Sequence, residues 1–322
     1  MYVLNTQLSS AIDSHSIQMV HIEMDFQRIL TILFLFIFSS IIQANPKTPN
    51  NQGLAFVHGT KDHREDAYGG YWKTDFIQKV VAGMKNPDNY YVVHCDFSRY
   101  MWHEDAANCV ADQLLQFIAD KNITSLTIYA HSDGANVMRW ILSNPTYDQR
   151  YLLLKKKIKE VIAAAPSSGG TQLADEVLNG GVFESSLAWI FGYISEAVKQ
   201  QRVGDMLIYN DELLLGSKGR PSLSIPFKVI VGTDVFASPF SGGSYCNGFM
   251  LNSGLKVTKL YLDDCADGFV NCSSQIQAGE VWFRDIDKTE NNVPLSHNQS
   301  RHSCFGLDQI IISALTKEGV LR

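Results

Sequence analysis

Residues 126–142 read LTIYAHSDGANVMRWIL and decide the fold of this chain. The first five residues form an apolar, β-type run, which stops at the polar stretch that begins with His131. A helical pattern follows at once, because Ala135, Met138 and Leu142 have the spacing of one buried helix face. The stretch therefore predicts a strand, a sharp turn and a helix in direct succession.

Ser132 lies in this turn, between the small residues Ala130 and Gly134. Small residues two positions on either side of a serine permit the strained turn of a nucleophile elbow, which projects the hydroxyl from the top of a sheet. The backbone N–H of Asp133 would then stand at a helix N-terminus, where partial positive charge favours a developing oxyanion. The alternative is an ordinary serine that caps the helix.

Length and composition favour one large α/β domain. The chain has 322 residues, and its formal net charge of −6 offers no basic surface for nucleic acid, so we expect no nucleic-acid partner. Runs of β-type residues alternate with amphipathic helical patterns, which predicts a mostly parallel sheet with helices on both faces. The β-type runs are residues 54–57, 90–94, 126–130, 161–164 and 227–231.

Residues 1–44 are predicted to be an N-terminal extension and signal peptide. Residues 29–38 form an apolar run behind Arg28 with the length of a signal-peptide core, although an uncleaved membrane anchor is the alternative. We expect translation to start at Met24 and cleavage to follow Ala44, which leaves 45–322 as the mature domain. The protein would then be secreted, or would reside in the periplasm or cell envelope.

Cysteine usage agrees with export. The six cysteines all follow the predicted cleavage point, and cysteines pair as disulfides in oxidising compartments. They are Cys95, Cys109, Cys246, Cys265, Cys272 and Cys304.

An apolar, helix-like insertion spans about residues 173–215, between the fourth and fifth β-type runs. A segment at this place could form a cap over the site, and the glycines at 180, 181 and 192 could let it open and close as a lid. It could also make transient contact with a lipid surface. A plain packed helical layer fits the same periodicity.

A serine nucleophile needs a histidine base, and the base needs an orienting carboxylate. Only His297 and His302 follow residue 131. We expect His302 to be the base, because it lies directly before an apolar final helix, with His297 as the fallback. Two aspartates compete for the acid position, Asp234 after the fifth β-type run and Asp267 in the segment 263–274.

The second oxyanion donor is expected in the loop after the first β-type run. That run ends in a His-Gly turn at His58 and Gly59, so the backbone N–H of Thr60 can point into the pocket. His58 itself is expected to be structural.

Four segments resemble the α/β-hydrolase superfamily, and within it most closely the secreted bacterial triacylglycerol lipases. The segments are VHG at 57–59, AHSDG at 130–134, APSSGGTQLAD at 165–175, and DGFV at 267–270 followed by CSS at 272–274. The last resembles the acid loop of these lipases, which implies that Asp267 and not Asp234 is the acid. The resemblance covers most of residues 53–320.

The sequence also departs from the lipase pattern. Cys304 stands two residues after His302, where those lipases carry a calcium-binding aspartate, so we predict no metal site and no cofactor. The need to hold the lipase-like acid loop implies that Cys272 is bridged, with Cys246 or Cys304 as the expected partner.

The sequence therefore predicts a serine hydrolase that cleaves carboxylic esters, with lipids or other apolar acyl esters as substrates. Ser132 would be the nucleophile, His302 the base and Asp267 the acid, with Thr60 and Asp133 as oxyanion donors. The same scaffold also carries thioesterases and acyltransferases. The alternative of another class is a secreted binding or host-interaction protein that keeps the hydrolase scaffold without catalysis.

Overall fold

The computed structural model describes residues 50–180, 194–236, 249–284, 294–302 and 307–317. Residues 1–44, which contain the predicted signal peptide, and residues 181–193 of the predicted cap lie outside this part of the chain. No helix among the described residues is long and apolar enough to cross a membrane.

A parallel sheet forms the centre of the described structure. Six strands pair in the order β3-β1-β5-β6-β7-β8, and every neighbouring pair is parallel. A short antiparallel pair, β2 with β4, forms a separate two-stranded sheet. The strands are β1 (Gln52–Val57), β2 (Lys61–Asp62), β3 (Tyr90–Val92), β4 (Asp96–Phe97), β5 (Ser125–His131), β6 (Ile158–Ala164), β7 (Phe227–Ile230) and β8 (Glu280–Phe283).

Helices alternate with these strands along the chain. They are α1 (Thr74–Val81), α2 (Cys109–Asp120), α3 (Gly134–Ser143), α4 (Gln149–Lys155), α5 (Gln172–Leu178), α6 (Glu196–Gln200), α7 (Val203–Glu212), α8 (Phe249–Thr258), α9 (Cys272–Gln275) and α10 (Leu307–Lys317). One 3-10 turn, Gln299–Arg301, precedes the last of them.

The core lies on both faces of the sheet because successive strand residues point to opposite sides. From β1, Ala55 and Val57 join the core under α2, α3 and α4, whereas Leu54 and Phe56 join the core under α1 and α10. Burial on both faces explains why these strands are continuous apolar runs. The predicted fold class, a mostly parallel α/β sheet of the α/β-hydrolase type, is confirmed.

Two parts of the β-structure, strand β8 and the pair β2–β4, were not predicted from the sequence. Strand β8 falls between Asp267 and His297, and its residues 280 and 281 are exposed, so it lacks the apolar run of a central strand. The pair β2–β4 is two residues long on each side, which is too short for a periodic signal.

Two disulfides occur in the described structure, Cys95–Cys109 and Cys265–Cys272. The prediction that Cys272 is bridged is confirmed, but the predicted partner is wrong. An isolated bridge between Ala266 and Asn271 folds the intervening loop back on itself and brings the Cα atoms of Cys265 and Cys272 to 5.5 Å. Cys246 and Cys304 lie outside the described residues.

Candidate active site

The strand β5 and the helix α3 meet at Ser132 in a strained turn. Ser132 has a φ of +55°, in the left-handed region that side chains rarely adopt, and strain of this kind concentrates at functional sites. Two glycines make room for the turn. A Cβ at Gly134 would fall 1.9 Å from the carbonyl oxygen of His58, and one at Gly59 would fall 2.8 Å from Cβ of Ser132.

A continuous chain of hydrogen bonds runs from this serine through His297 to Asp267. Ser132 Oγ lies 3.0 Å from His297 Nε2, and His297 Nδ1 lies 2.8 Å from Asp267 Oδ2. A carboxylate can only accept, so Nδ1 carries the proton and Nε2 is left to accept from the serine hydroxyl. This is the arrangement in which an imidazole can remove the hydroxyl proton.

The Asp267 carboxylate is fully buried and is held by its own loop. Its Oδ1 accepts hydrogen bonds from the backbone N–H groups of Phe269 at 2.9 Å and Val270 at 2.7 Å, which leaves Oδ2 for His297. The disulfide between Cys265 and Cys272 closes this loop at its base. Hydrogen bonds therefore hold both oxygens of the Asp267 carboxylate.

His297 is positioned by contacts with distant segments. Its backbone N–H donates to the Asp267 carbonyl at 2.9 Å, and its ring stacks on Phe269 with centroids 4.7 Å apart. His131 donates from Nε2 to the His297 carbonyl at 2.7 Å and accepts a hydrogen bond from the Tyr71 hydroxyl. Burial lowers the pKa of His131 well below its usual value, so this ring is neutral in the network.

The structure does not bring His302 to Ser132, which corrects the preferred position of the base. The 3-10 turn Gln299–Arg301 separates the two histidines, and the ring of His302 is buried with no hydrogen-bond partner at Nε2 among the described residues. Burial, together with the charges of Arg301 and Lys73, lowers the pKa of His302 to about 2. The fallback residue, His297, is the histidine that lies within hydrogen-bond distance of Ser132 Oγ.

Asp234 is also absent from the hydrogen-bond chain. Its Oδ1 bonds to Lys259 Nζ at 2.5 Å, and its side chain is 42% exposed. Partial burial acts to raise the pKa of Asp234, but the bonds from Lys259 and the Val235 N–H outweigh it and lower the pKa. Asp234 thus forms a surface ion pair.

Of the two expected oxyanion donors, Thr60 lines the same cleft as Ser132, and Asp133 directly follows Ser132 in the chain. Within the described chain neither backbone N–H donates to a backbone carbonyl outside the regular elements. Gln201 Nε2 donates to Thr60 Oγ1 at 2.8 Å and holds that residue in place. The Asp133 side chain points into the core, where Gln200 donates to it at 3.0 Å. Burial raises the pKa of Asp133 to about 7, although the hydrogen bonds that its carboxylate accepts act to lower it.

A cleft of about 330 Å³ opens over the serine. Apolar and aromatic groups from Tyr71, Leu255 and Phe269 form part of its wall, and charged groups from Lys61 and Arg301 form another part. Among the described residues, no group of three or more His, Cys, Asp or Glu is placed to hold a metal ion.

The sequence did not reveal the residues that support His297. Two of them, Tyr71 and Tyr129, lie far from His297 in sequence. The Tyr71 hydroxyl bonds to His131, and the Tyr129 hydroxyl donates to the Ser300 carbonyl at 2.6 Å. His131 stands beside the serine in the quoted stretch, so its nearness was visible, but its bond to His297 depends on how the last loop folds.

Neither a protein-family model nor a curated protein sequence matches the chain. Solved structures do match it. The mature lipase BlEst2 of Bacillus licheniformis has a TM-score of 0.59 at 15% identity, over 85% of this chain and 94% of that one. Lipase 1 of Pelosinus fermentans has a TM-score of 0.53 at 13% identity, over 83% of this chain and 99% of that one.

The lipase of Staphylococcus hyicus has a TM-score of 0.50 at 11% identity, over 86% of this chain and 97% of that one. At such low identity, likeness of this kind shows a shared fold and leaves chemistry to the residues. The resemblance to the bacterial lipases that the sequence motifs indicated is therefore confirmed at the level of the α/β-hydrolase fold.

Proposed function

We propose that this protein is a serine hydrolase that cleaves carboxylic esters, with Ser132, His297 and Asp267 as its triad. The observation that carries the proposal is the pair of hydrogen bonds that join these residues, 3.0 Å from Ser132 Oγ to His297 Nε2 and 2.8 Å from His297 Nδ1 to Asp267 Oδ2. Ser132, at one end of this chain of hydrogen bonds, has a strained backbone and lines a cleft.

The geometry supports a two-step reaction. Ser132 Oγ attacks the ester carbonyl while His297 Nε2 takes the hydroxyl proton, and the N–H groups of Thr60 and Asp133 bind the oxyanion. Collapse of this intermediate breaks the bond to the alcohol, which leaves with the proton from His297. Water then attacks the acyl-serine, and His297 again acts as the base by taking a proton from that water. Collapse of the second intermediate releases the carboxylic acid, and the proton returns from His297 to restore the Ser132 hydroxyl.

The substrate class follows from the cleft wall. Phe269, Leu255 and Tyr71 present apolar surface beside the serine, which suits the acyl chain of a lipid or another apolar ester. The insertion between β6 and β7 would act as a cap over this cleft. The predicted signal peptide and the two disulfides support a secreted or envelope protein, because disulfides persist in oxidising compartments.

Hydrolysis of p-nitrophenyl butyrate by the purified protein tests the proposal. We expect Ser132→Ala to lower kcat/KM by about four orders of magnitude or more, because no other group supplies the attacking oxygen. The matched control is Ser222→Ala, since Ser222 is an exposed serine that does not line the cleft. Equal turnover by Ser132→Ala and the wild type would refute the assignment, and no turnover by the wild type would favour the non-catalytic alternative.

A further inference from the structure

Arg301 brings a positive charge into the cleft that no carboxylate neutralises within the described part of the chain. Its guanidinium stacks on the ring of Tyr71 at 4.3 Å and donates from Nη1 to the Tyr71 carbonyl at 2.9 Å. Nε and Nη2 both donate to Asn298 Oδ1. All these acceptors are neutral, and none of the described ion pairs includes Arg301.

The guanidinium also has donors to spare. It carries five N–H groups, and the contacts above occupy three of them. Burial lowers the pKa of Arg301 against the opposing effects of Tyr71 and Asp66, so its charge is held in a poorly solvated place. A partly buried cation of this kind is stabilised by an anion that binds to its remaining N–H groups.

Lys61 adds a second cation to the same cleft. It follows the proposed oxyanion donor Thr60 directly, and it lines the cleft with Arg301. Its φ of +96° lies outside the range that lysine normally adopts, and the pairing of β2 with β4 at Phe97 holds the backbone there. Strain persists where the surrounding structure fixes it, commonly at ligand-binding positions.

The lining of the cleft contains few acidic groups within the described part of the chain. Asp66 is the one lining carboxylate among the described residues, and it already bonds to His63 Nδ1 at 2.7 Å. Burial, followed by the repulsion of Arg301, lowers the pKa of Lys61.

We infer that Arg301 and Lys61 select esters that carry an anionic group, a carboxylate or a phosphate, close to the scissile bond. The inference rests on the proposed ester hydrolysis and names its substrate class. The planar fork of arginine binds either anion through two parallel hydrogen bonds, and the lysine adds a point charge next to the oxyanion donor. The apolar wall at Phe269 and Leu255 would hold the remaining part of the ester.

Two pairs of substrates test this selectivity and separate its possible sources. The first compares mono-p-nitrophenyl glutarate, whose free carboxylate represents a small soluble acid, with the neutral ester p-nitrophenyl pentanoate. The second compares 1-butyrylglycerol 3-phosphate with 1-butyrylglycerol, which represents a lipid headgroup. We expect the wild type to prefer the anionic member of at least one pair by about tenfold or more in kcat/KM, the effect of one charge-assisted hydrogen bond.

Variants show which residues produce the preference. Arg301→Gln should reduce the ratio for the preferred pair to about one, Arg301→Lys should give an intermediate ratio, and Lys61→Gln should lower it a few-fold. Arg64→Gln is the matched control, since Arg64 is an exposed guanidinium bound to Asp62 outside the cleft lining. This control should keep the wild-type ratio.

Inhibition supplies a readout that needs no folded Arg301 variant. Inorganic phosphate or glutarate should inhibit hydrolysis of p-nitrophenyl pentanoate by the wild type competitively, and less in Lys61→Gln. No preference in either pair, or a ratio that survives in both Arg301→Gln and Lys61→Gln, would overturn the inference while the proposed hydrolysis stands. Failure of the wild type on all four esters would instead overturn the proposed function.

Discussion

The nucleophile turn and the loop that carries the base are held in different ways. Residues 125–143 form one continuous strand–turn–helix unit in which sheet pairing with β1 and β6 fixes the position of Ser132. The loop around His297 has little regular structure, and its bonds reach distant elements: the Asp267 carbonyl, the Tyr129 hydroxyl and the ring of His131. The position of Ser132 is set by the sheet, and that of His297 by hydrogen bonds to residues distant in sequence.

This difference predicts how substitutions in each region affect activity. Substitutions around the elbow should act through chemistry or through the strained turn itself. Substitutions that remove a remote support of the base should displace an imidazole that must stay within hydrogen-bond reach of Ser132. The predictions below are arranged from the largest expected effect to the smallest.

The largest effect is expected at the base. His297→Ala should lower kcat/KM for p-nitrophenyl butyrate by about four orders of magnitude, as far as Ser132→Ala does, because triad members act as one unit. His302→Ala should keep activity within about threefold once folded protein is compared, since His302 Nε2 makes no hydrogen bond to any described residue, the triad included. The reverse ranking would move the base to His302.

The acid should give the next effect. Asp267→Asn replaces the acceptor of the His297 Nδ1–H by an amide that cannot hold the productive tautomer, and it should cost about three to four orders of magnitude in kcat/KM. Asp234→Asn is the matched control, because it makes the same chemical change in an ion pair with Lys259. Steady-state kinetics of both variants decide between the two aspartates, and equal losses would contradict the assignment.

Removal of each of the two described disulfides should affect stability and activity differently. Removing either with serine substitutions should lower the free energy of unfolding by about 2–4 kcal/mol. Only Cys265→Ser with Cys272→Ser should also lower kcat, because that bridge closes the loop that holds Asp267. The Cys95–Cys109 pair is the control, and urea unfolding alongside kinetics measures both quantities. A comparable loss of kcat in the two double variants would show that the acid loop holds itself.

The smallest effect is expected from a remote support. Tyr129→Phe removes the hydrogen bond to the Ser300 carbonyl in the base loop and should cost about 1 kcal/mol of stability with a loss of a few-fold in kcat/KM. Tyr151→Phe is the control, since it removes a bond of equal length, 2.6 Å, to Asn108. It should reduce stability alone. Equal kinetics in both variants would mean that the base loop does not depend on this bond.

What the sequence could predict follows the same division. The elbow at 126–142 and the buried strands are local patterns, so their position and the fold class could be read directly. The choice of Asp267 over Asp234 needed the resemblance of DGFV at 267–270 to a lipase acid loop.

The base and the disulfide partner could not be read in this way. His297 and His302 are five positions apart, and the turn Gln299–Arg301 decides which ring faces Ser132. That turn is held by tertiary bonds, such as the one from Tyr129, which leave no periodic signal. Similarly, the partner of Cys272 depends on the backbone fold between Ala266 and Asn271, which sequence spacing does not reveal.

Labelling with a fluorophosphonate, followed by peptide mapping, tests most directly that Ser132 is activated by His297. The account predicts one phosphonylated site, Ser132, in the wild type and in His302→Ala, and labelling slowed by orders of magnitude in His297→Ala. Modification of a different serine, or full-rate labelling of His297→Ala together with none of His302→Ala, would contradict it.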